Sequence, residues 1–148
     1  MDFSLSQTDG RIFTLSQLQQ PLVLFFYPRD NTPGCTVENQ DFSSLAGEFA
    51  KLGYALYGIS RDTLKSHCNF SEKYNLQHQL LADHDETVCN LFGVMKDKTM
   101  YGKPVRGIER STFILNQQHK IIKEWRKVSV SEHAAEVLQF VKNLAVGL

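Results

Sequence analysis

The chain has 148 residues, of which 42% are hydrophobic and 22% charged, and its 16 basic side chains balance 16 acidic ones. This length predicts a single domain over residues 1–148, and the composition excludes intrinsic disorder for most of the chain. A net charge of zero argues against nucleic acid and acidic membrane surfaces as partners.

The N-terminus has no basic stretch followed by an apolar run, so no secretion signal is expected. The longest apolar run, residues 22–27, is much shorter than the roughly 20 residues of a membrane-spanning helix. We therefore expect a cytoplasmic protein. Its three widely spaced cysteines, Cys35, Cys68 and Cys89, are typical of reactive or inert thiols and not of a disulfide framework.

The first third of the chain predicts a hairpin, a buried strand and a helix. Residues 3–6 alternate apolar and polar side chains, and a second short run follows at 12–15. Asp9-Gly10 between the two runs favours a β-hairpin. The apolar run 22–27 ends at Pro28, as expected for a central strand buried on both faces. Beyond Cys35, apolar residues recur at three- and four-residue steps, and this period indicates an amphipathic helix.

The remaining two thirds predict alternating strands and helices. In chain order we expect a strand at 54–59, a helix capped by Ser60 and ending near Tyr74, a strand at 80–82, a short helix at 88–92, a hairpin of 112–115 and 121–125, and a helix at 134–145. Residues 95–109 show no period and are expected to form a long irregular loop. The order of elements predicts an α/β three-layer sandwich with a mixed central sheet and an N-terminal β-hairpin.

The strand-to-helix junction before Cys35 carries the chemistry. Thr32 and Pro33 are expected at the cap and first position of the helix, which places Cys35 in its first turn. Free backbone N–H groups and the helix dipole favour an anion there, so a thiol at this position is favoured as the thiolate. The alternative is that Cys35 only fills space in the core. Its position after Pro-Gly at an element boundary favours the reactive interpretation.

The same residues resemble a known family. Pro28, Thr32 and Cys35 have the spacing P-x-x-x-T-x-x-C, which is similar to the active-site motif of the peroxiredoxins. The longer string 27–36, together with Glu38, resembles the Q-type subfamily, also called bacterioferritin comigratory proteins. The resemblance implies a thioredoxin-like fold, a hydroperoxide as substrate, and neither a metal nor an organic cofactor.

Two later segments extend the resemblance and supply a cation. Residues 107–114 resemble the family's arginine-bearing strand, and 125–128 resemble the segment after it. The family's arginine corresponds to Arg110, which is expected to stabilise the thiolate and to hold the peroxide. Taken alone, Arg110 would be assigned to a strand surface, and Arg29 is the competing cation.

The peroxidase chemistry gives each remaining motif residue a role. Attack of the thiolate on one peroxide oxygen yields a sulfenic acid, while negative charge develops on the departing oxygen. The Thr32 hydroxyl is suited to accept a hydrogen bond from the peroxide or to orient the sulfur. The N–H groups of Gly34 and Cys35 are candidate donors to the developing charge. Pro28 is expected to shield the pocket from water.

The sulfenic acid must then be reduced, and the sequence leaves three routes open. Many Q-type members carry a second cysteine five residues after the first, but this chain has Gln40 there. We favour resolution by Cys68, although relatives place such a cysteine nearer Ser71; an external thiol comes next and Cys89 last. A Cys35–Cys68 disulfide would require local unfolding, because disulfide-bonded Cα atoms lie within about 7 Å of one another. Thioredoxin or a glutaredoxin-like protein is the expected reductant, and the protein is expected to be a monomer or weak dimer.

Rival functions share the same thiol. A thiol–disulfide oxidoreductase would normally need C-x-x-C, but Thr36-Val37-Glu38 follows Cys35. A Cys-His hydrolase would need a histidine that activates Cys35, and the sequence places none near it. The five histidines are expected at the surface. A non-enzymatic peroxide sensor remains as a different class, since it would react once without turning over.

Overall fold

The computed structural model describes residues 1–146, excluding the side chains of Met100 and Val146. The last two residues of the predicted domain lie outside this described part. The strands are β1 (Ser4–Gln7), β2 (Ile12–Thr14), β3 (Leu22–Phe26), β4 (Ala55–Ser60), β5 (Gln79–Ala82), β6 (Met95–Met100), β7 (Lys103–Ile108), β8 (Ser111–Leu115) and β9 (Ile121–Trp125). The helices are α1 (Pro33–Lys51), α2 (Leu64–Tyr74), α3 (Thr87–Leu91) and α4 (His133–Val146).

Seven strands form one mixed sheet in the order β2-β1-β5-β4-β3-β8-β9. Strand β3 lies parallel to β4 and antiparallel to β8, and β1 lies antiparallel to β5. All five residues of β3 are buried. The predicted central strand, both hairpins and the mixed α/β class are therefore confirmed.

The alternation of side chains along β3 divides the core into two layers. Val23 and Phe25 face a layer that contains Phe42 and Phe49 of α1, Phe70 of α2 and the apolar side of α4. Leu22, Leu24 and Phe26 face the opposite layer, which includes Val88 of α3 and the N-terminal residues Phe3 and Phe13. Helices on both faces of one sheet give the expected three-layer sandwich.

Gly58 of β4 allows the first of these layers to close. A Cβ at this position would lie 2.8 Å from Phe25 Cζ and 2.9 Å from Leu80 Cδ2. Phe25 therefore crosses directly over the backbone of the neighbouring strand and stacks on Phe42, with ring centroids 4.2 Å apart.

The prediction of an irregular loop over 95–109 was wrong. Strands β6 and β7 pair antiparallel over six residue pairs and form a two-stranded ribbon separate from the main sheet. Most of its described side chains are exposed on both faces, so the segment lacks the apolar alternation by which a strand is recognised. Its turn, Tyr101-Gly102, has positive φ at both residues, as tight hairpin turns require.

The predicted start of α2 at Ser60 was also wrong. Ser60 ends β4, and its hydroxyl donates to Asp62 Oδ2. Thr63 caps the helix instead, because its Oγ1 accepts a hydrogen bond from the backbone N–H of Ser66 at 3.2 Å. Within residues 1–146, the helices are too short or too polar to cross a membrane.

Candidate active site

The first turn of α1, which follows the carboxyl end of the interior strand β3, carries Cys35. Pro33 is the first helical residue and Thr32 precedes it, as predicted. The Thr32 side chain does not cap the helix; its hydroxyl donates to the carbonyl oxygen of Arg29 at 2.8 Å. The N–H groups of the first turn are therefore not occupied by this side chain, and both lone pairs of the hydroxyl oxygen remain available as acceptors.

Arg110 reaches this turn from the segment between β7 and β8. Its Nη2 donates to Cys35 Sγ at 3.5 Å, and its side chain is only 16% exposed. The N–H of Val128 donates to the Arg110 carbonyl oxygen at 3.0 Å, so the segment after β9 fixes the arginine backbone. Arg29, the competing cation, is exposed.

Gly34 makes this close approach possible. A Cβ at position 34 would lie 3.2 Å from Arg110 Nη2. The glycine before Cys35 thus removes the atom that would crowd the guanidinium beside the sulfur.

Glu38 forms an ion pair with Arg110. Sequence analysis gave Glu38 no role. It lies one helical turn after Cys35, and its Oε1 accepts a hydrogen bond from Arg110 Nη1 at 2.6 Å. Burial raises the pKa of Glu38 to about 7, although the Arg110 guanidinium opposes that rise. Burial would lower the pKa of Arg110, but the Glu38 carboxylate and the Cys35 sulfur together raise it. The three-residue spacing on one helix face was the available signal.

A second chain of contacts holds the Cys35 backbone. Asn39 Nδ2 donates to the Cys35 carbonyl oxygen at 2.9 Å, and Asn39 Oδ1 lies 3.0 Å from His78 Nε2. Burial lowers the pKa of His78 to about 3, so the neutral ring donates this hydrogen bond to the amide oxygen. The predicted surface position was wrong for His78, His67 and His133, which are all buried.

Pro28 and Arg110 line a cleft of about 910 Å³. Ile108 and Val128 give it apolar walls, and its rim carries charged residues, namely Lys96, Asp97, Lys98, Glu109, Arg126 and Lys127. Cys35 itself is 1% exposed and lies behind this lining. A substrate that reaches the sulfur from this cleft must therefore pass Pro28 and Arg110.

The structure brings together Pro28, Thr32, Cys35 and Arg110 but not Cys68. All three cysteines are free. The sulfur of Cys68 lies on α2, 3.6 Å from the carbonyl oxygen of Thr8, beyond the end of β1. Strands β3 and β1 are three positions apart in the sheet, which is roughly 14 Å at about 4.8 Å per strand. Cys68 therefore lies too far from Cys35 to form a disulfide in this conformation.

One group of side chains has the composition of a metal site. Ligand-type atoms of Asp30, Asp62 and His67 lie within 4.8 Å of one another. Asp62 Oδ2 already accepts hydrogen bonds from the Ser60 hydroxyl and the Asp30 N–H. The His67 Nδ1 atom lies 2.8 Å from Asp30 Oδ2. These polar atoms are therefore satisfied by one another, without an ion.

Comparisons with known proteins identify relatives of this chain along most of its length. The AhpC/TSA family model matches residues 1–124. The chain is 47% identical over 142 residues to Peroxiredoxin Bcp of Xanthomonas campestris, covering 95% of this chain and 89% of that relative. It is 42% identical over 145 residues to Peroxiredoxin Bcp of Bacillus subtilis, with 97% and 92% covered.

Solved structures of proteins from the same family share the fold of this chain. A structure of Xanthomonas campestris Peroxiredoxin Q superposes with a TM-score of 0.92 at 46% identity, covering 97% of this chain and 91% of that one. Another, of the bacterioferritin comigratory protein from the same organism, has a TM-score of 0.92 at 46% identity, with 97% and 92% covered. That second structure is described in terms of alkyl peroxide reduction by that protein and its trapped intermediate and ligand complexes.

Proposed function

Since the chain belongs to the AhpC/TSA family and is a peroxiredoxin of the Q type, it is a thiol-dependent peroxidase, and we propose that Cys35 is its reacting thiol. The predicted resemblance and the thioredoxin-like fold are thereby confirmed. The contact between Arg110 Nη2 and Cys35 Sγ is the observation that supports Cys35. No corresponding cation donates to the sulfurs of Cys68 or Cys89 among the described residues, so Cys35 is the favoured nucleophile.

The first step oxidises the sulfur by two electrons. The Cys35 thiolate attacks the terminal oxygen of the hydroperoxide, an S–O bond forms, and the O–O bond breaks. The products are the Cys35 sulfenic acid and an alkoxide or hydroxide, which takes a proton from water. Negative charge moves from sulfur to the leaving oxygen along one line, and Arg110 together with the first-turn N–H groups lies beside that line.

The other site residues act on the substrate or on Arg110. The Thr32 oxygen accepts a hydrogen bond from the peroxide O–H, because its own hydrogen points to Arg29. Glu38 is a positioning residue: it holds one end of the guanidinium so that the other end faces the sulfur. Pro28 contributes an apolar edge and no N–H donor to the cleft.

Hydrogen peroxide and alkyl hydroperoxides are the proposed substrates. The relative from Xanthomonas campestris is described in terms of alkyl peroxide reduction. The cleft beside Arg110 is large enough for an alkyl group, with Pro28, Ile108 and Val128 as its apolar lining.

Cys68 is the proposed resolving cysteine. Its thiol attacks the Cys35 sulfenic acid, giving a disulfide and one molecule of water. Ser71, near which relatives place this cysteine, lies one helical turn after Cys68, and both residues are half-buried. The reaction requires α2 to leave its position, since the two sulfurs are far apart here. Thioredoxin or a glutaredoxin-like protein would then reduce the exposed disulfide.

The separation of the two sulfurs also favours a second route, in which an external thiol reduces the sulfenic acid directly. The two routes differ in whether a Cys35–Cys68 disulfide accumulates after one equivalent of peroxide. Peptide mapping of the oxidised protein measures this directly.

Thioredoxin-coupled peroxide consumption tests the whole proposal with three variants. Cys35→Ser is expected to abolish consumption, and Cys68→Ser is expected to react once with peroxide but to lose coupled turnover. Cys89→Ala is the control and is expected to keep its activity, because Cys89 is buried away from the cleft. Activity that survives in Cys35→Ser would refute the nucleophile, and full turnover in Cys68→Ser would refute only the resolving step.

A further inference from the structure

A buried polar cluster joins the active-site loop, residues 28–32, to the first turn of α2, and the peroxidase chemistry does not use it. Its centre is the Asp30 carboxylate, whose side chain is 3% exposed. The Tyr27 hydroxyl donates to Asp30 Oδ1 at 2.5 Å, and the Ser66 hydroxyl donates to Oδ2 at 2.8 Å. His67 Nδ1 lies 2.8 Å from the same Oδ2. We call Tyr27, Asp30, Ser66 and His67 the Asp30 cluster.

The hydrogen-bond partners of His67 fix where its protons lie. Its ring is 0% exposed, and Nε2 lies 2.9 Å from the carbonyl oxygen of Leu81. A carbonyl oxygen only accepts, so Nε2 carries a hydrogen. A further proton must then lie between Nδ1 and Asp30 Oδ2, because two bare lone pairs would repel each other at this distance. Asp30 and His67 are thus joined by a hydrogen bond that is buried from water. It forms either between a carboxylate and a charged imidazolium or between a protonated carboxyl group and a neutral imidazole.

The Asp30 cluster joins two segments that must separate during turnover. Asp30 belongs to the active-site loop, between Pro28 and Thr32. Ser66 and His67 belong to α2 and come directly before Cys68. Cys68 itself is held weakly, since its half-buried thiol makes one long contact, with the Thr8 carbonyl oxygen at 3.6 Å. The bonds to Asp30 are therefore the polar contacts that hold the first turn of α2 on the loop. At the other end of α2, Lys73 Nζ and the Tyr74 hydroxyl each donate to Asn31 Oδ1 at 3.3 Å, but these two bonds are exposed to water.

We propose that the Asp30 cluster is a latch that keeps α2 closed on the active-site loop, and that its opening limits the rate at which Cys68 reaches the Cys35 sulfenic acid. This inference rests on the proposed role of Cys68 as the resolving cysteine. While the latch is closed, the loop that carries Pro28 and Thr32 stays in place for the attack on peroxide. When it opens, α2 becomes free, and the disulfide forms from the sulfenic acid and the Cys68 thiol with release of water.

Two conservative variants weaken the latch by one hydrogen bond each. Tyr27→Phe removes the donor to Asp30 Oδ1, and Ser66→Ala removes one donor to Oδ2. Ser71→Ala is the matched control, because it makes the same chemical change on the same helix outside the cluster. Alanine favours the helix slightly more than serine does, so propensity alone would slow the opening in both serine variants.

The rate of disulfide formation is measured after rapid mixing with one equivalent of peroxide, alkylation of free thiols and mass spectrometry. Each latch variant is expected to form the Cys35–Cys68 disulfide about tenfold faster than the parent, which corresponds to about 1.4 kcal/mol. Hydrogen exchange of the α2 amides in the reduced protein is expected to accelerate by a similar factor, while exchange in α4 stays unchanged. Ser71→Ala is expected to remain within about twofold of the parent in both measurements.

The outcomes separate the latch from the peroxidase function. Faster exchange in α2 together with faster disulfide formation supports the latch. Unchanged exchange, or unchanged disulfide formation, in both latch variants overturns it while the peroxidase stands. If the parent forms the sulfenic acid but no Cys35–Cys68 disulfide, the resolving role of Cys68 and the latch both fall, and Cys35 remains the reacting thiol.

Discussion

The first turns of α1 and α3 place a buried cysteine at the same position but give it opposite electrostatic surroundings. Cys35 and Cys89 are each the third residue of their helix, and they are 1% and 0% exposed. At α3, the Asp83 carboxylate accepts the N–H groups of Val88 and Cys89 at 3.1 and 2.7 Å. At α1, an arginine side chain approaches the sulfur instead.

The difference shows that the same position in the first turn of a helix gives two thiols opposite electrostatic surroundings. Burial, and then the Asp83 carboxylate, raise the pKa of Cys89 well above its ordinary value. The anion position at the start of α3 is already occupied by Asp83, so the helix dipole stabilises that carboxylate and not the sulfur. If Cys35 is the reacting thiol, as proposed, the charge that approaches the turn from another element is what distinguishes it from Cys89.

Removing the Arg110 guanidinium from Cys35 should have the largest effect on peroxidase activity. Arg110→Gln is expected to lower kcat/KM for peroxide by about 100- to 1000-fold, the usual cost of losing one donor to a developing charge. Competition kinetics against a second peroxidase measure this rate. Arg126→Gln, which changes another arginine of the cleft, is the control and is expected to stay within about threefold.

Arg110→Gln leaves the Glu38 carboxylate buried without its partner, so the double variant Arg110→Gln/Glu38→Gln guards against a folding defect. If the double variant folds and keeps the activity of the parent, the comparison between the two helices loses its basis.

Removing the anion at α3 should change stability and not activity. Asp83→Ala is expected to lower the free energy of unfolding by about 2 kcal/mol, because two buried N–H groups lose their acceptor. Urea unfolding measures the loss, and Asp85→Ala, at an exposed site before α3, should cost less than half as much. Peroxidase activity should remain unchanged, and a collapse of activity in a folded Asp83→Ala would contradict the assignment of α3 as structural.

The pH dependence of stability should show the smallest effect. The pKa of Glu38 is raised to about 7, so its stabilising contribution is present at low pH and is lost as the pH rises through 7. Burial lowers the pKa of His78 to about 3 and that of His133 to about 4, so their contributions are present above pH 6.5 and are lost on acidification. Between pH 7 and pH 5, acidification therefore raises the free energy of unfolding through Glu38 and lowers it through His78 and His133.

Glu38→Gln removes the contribution of Glu38 and leaves those of His78 and His133. Its free energy of unfolding should fall more between pH 7 and pH 5 than that of the parent, by about 2 kcal/mol. Urea unfolding at the two pH values gives the difference. Glu48→Gln changes an exposed glutamate of the same helix and should follow the parent. Equal slopes for Glu38→Gln and the parent would mean that Glu38 titrates alike in the folded and unfolded states.

The sequence was sufficient where local chemistry decides the structure. Thr32-Pro33 predicted the start of α1, and the apolar run 22–27 predicted the buried central strand, because the fixed φ of a proline and the burial of a short apolar run are both readable within a few residues. Arg110 was different: only the resemblance singled it out, since it comes 75 residues after Cys35 and the fold alone joins them.

The missed features share a physical cause. The β6–β7 ribbon is exposed on both faces, so it leaves no hydrophobic period in the sequence. Buried His67 and His78 have polar partners that lie 37 and 39 residues away, namely Asp30 and Asn39, and no local pattern marks such pairs. Glu38 was the exception, because its distance from Cys35 in the helix was readable from the start.

The β6–β7 ribbon has a consequence for how copies of this chain meet. An isolated pair of strands offers backbone groups along its outer edges that another strand is able to join, which leads to aggregation. This ribbon carries Lys96, Lys98, Lys103 and Arg106 along its length. Asp97 is its acidic residue, so basic side chains predominate. Two such ribbons laid side by side would bring like charges together, and this repulsion disfavours pairing of the outer edges between copies.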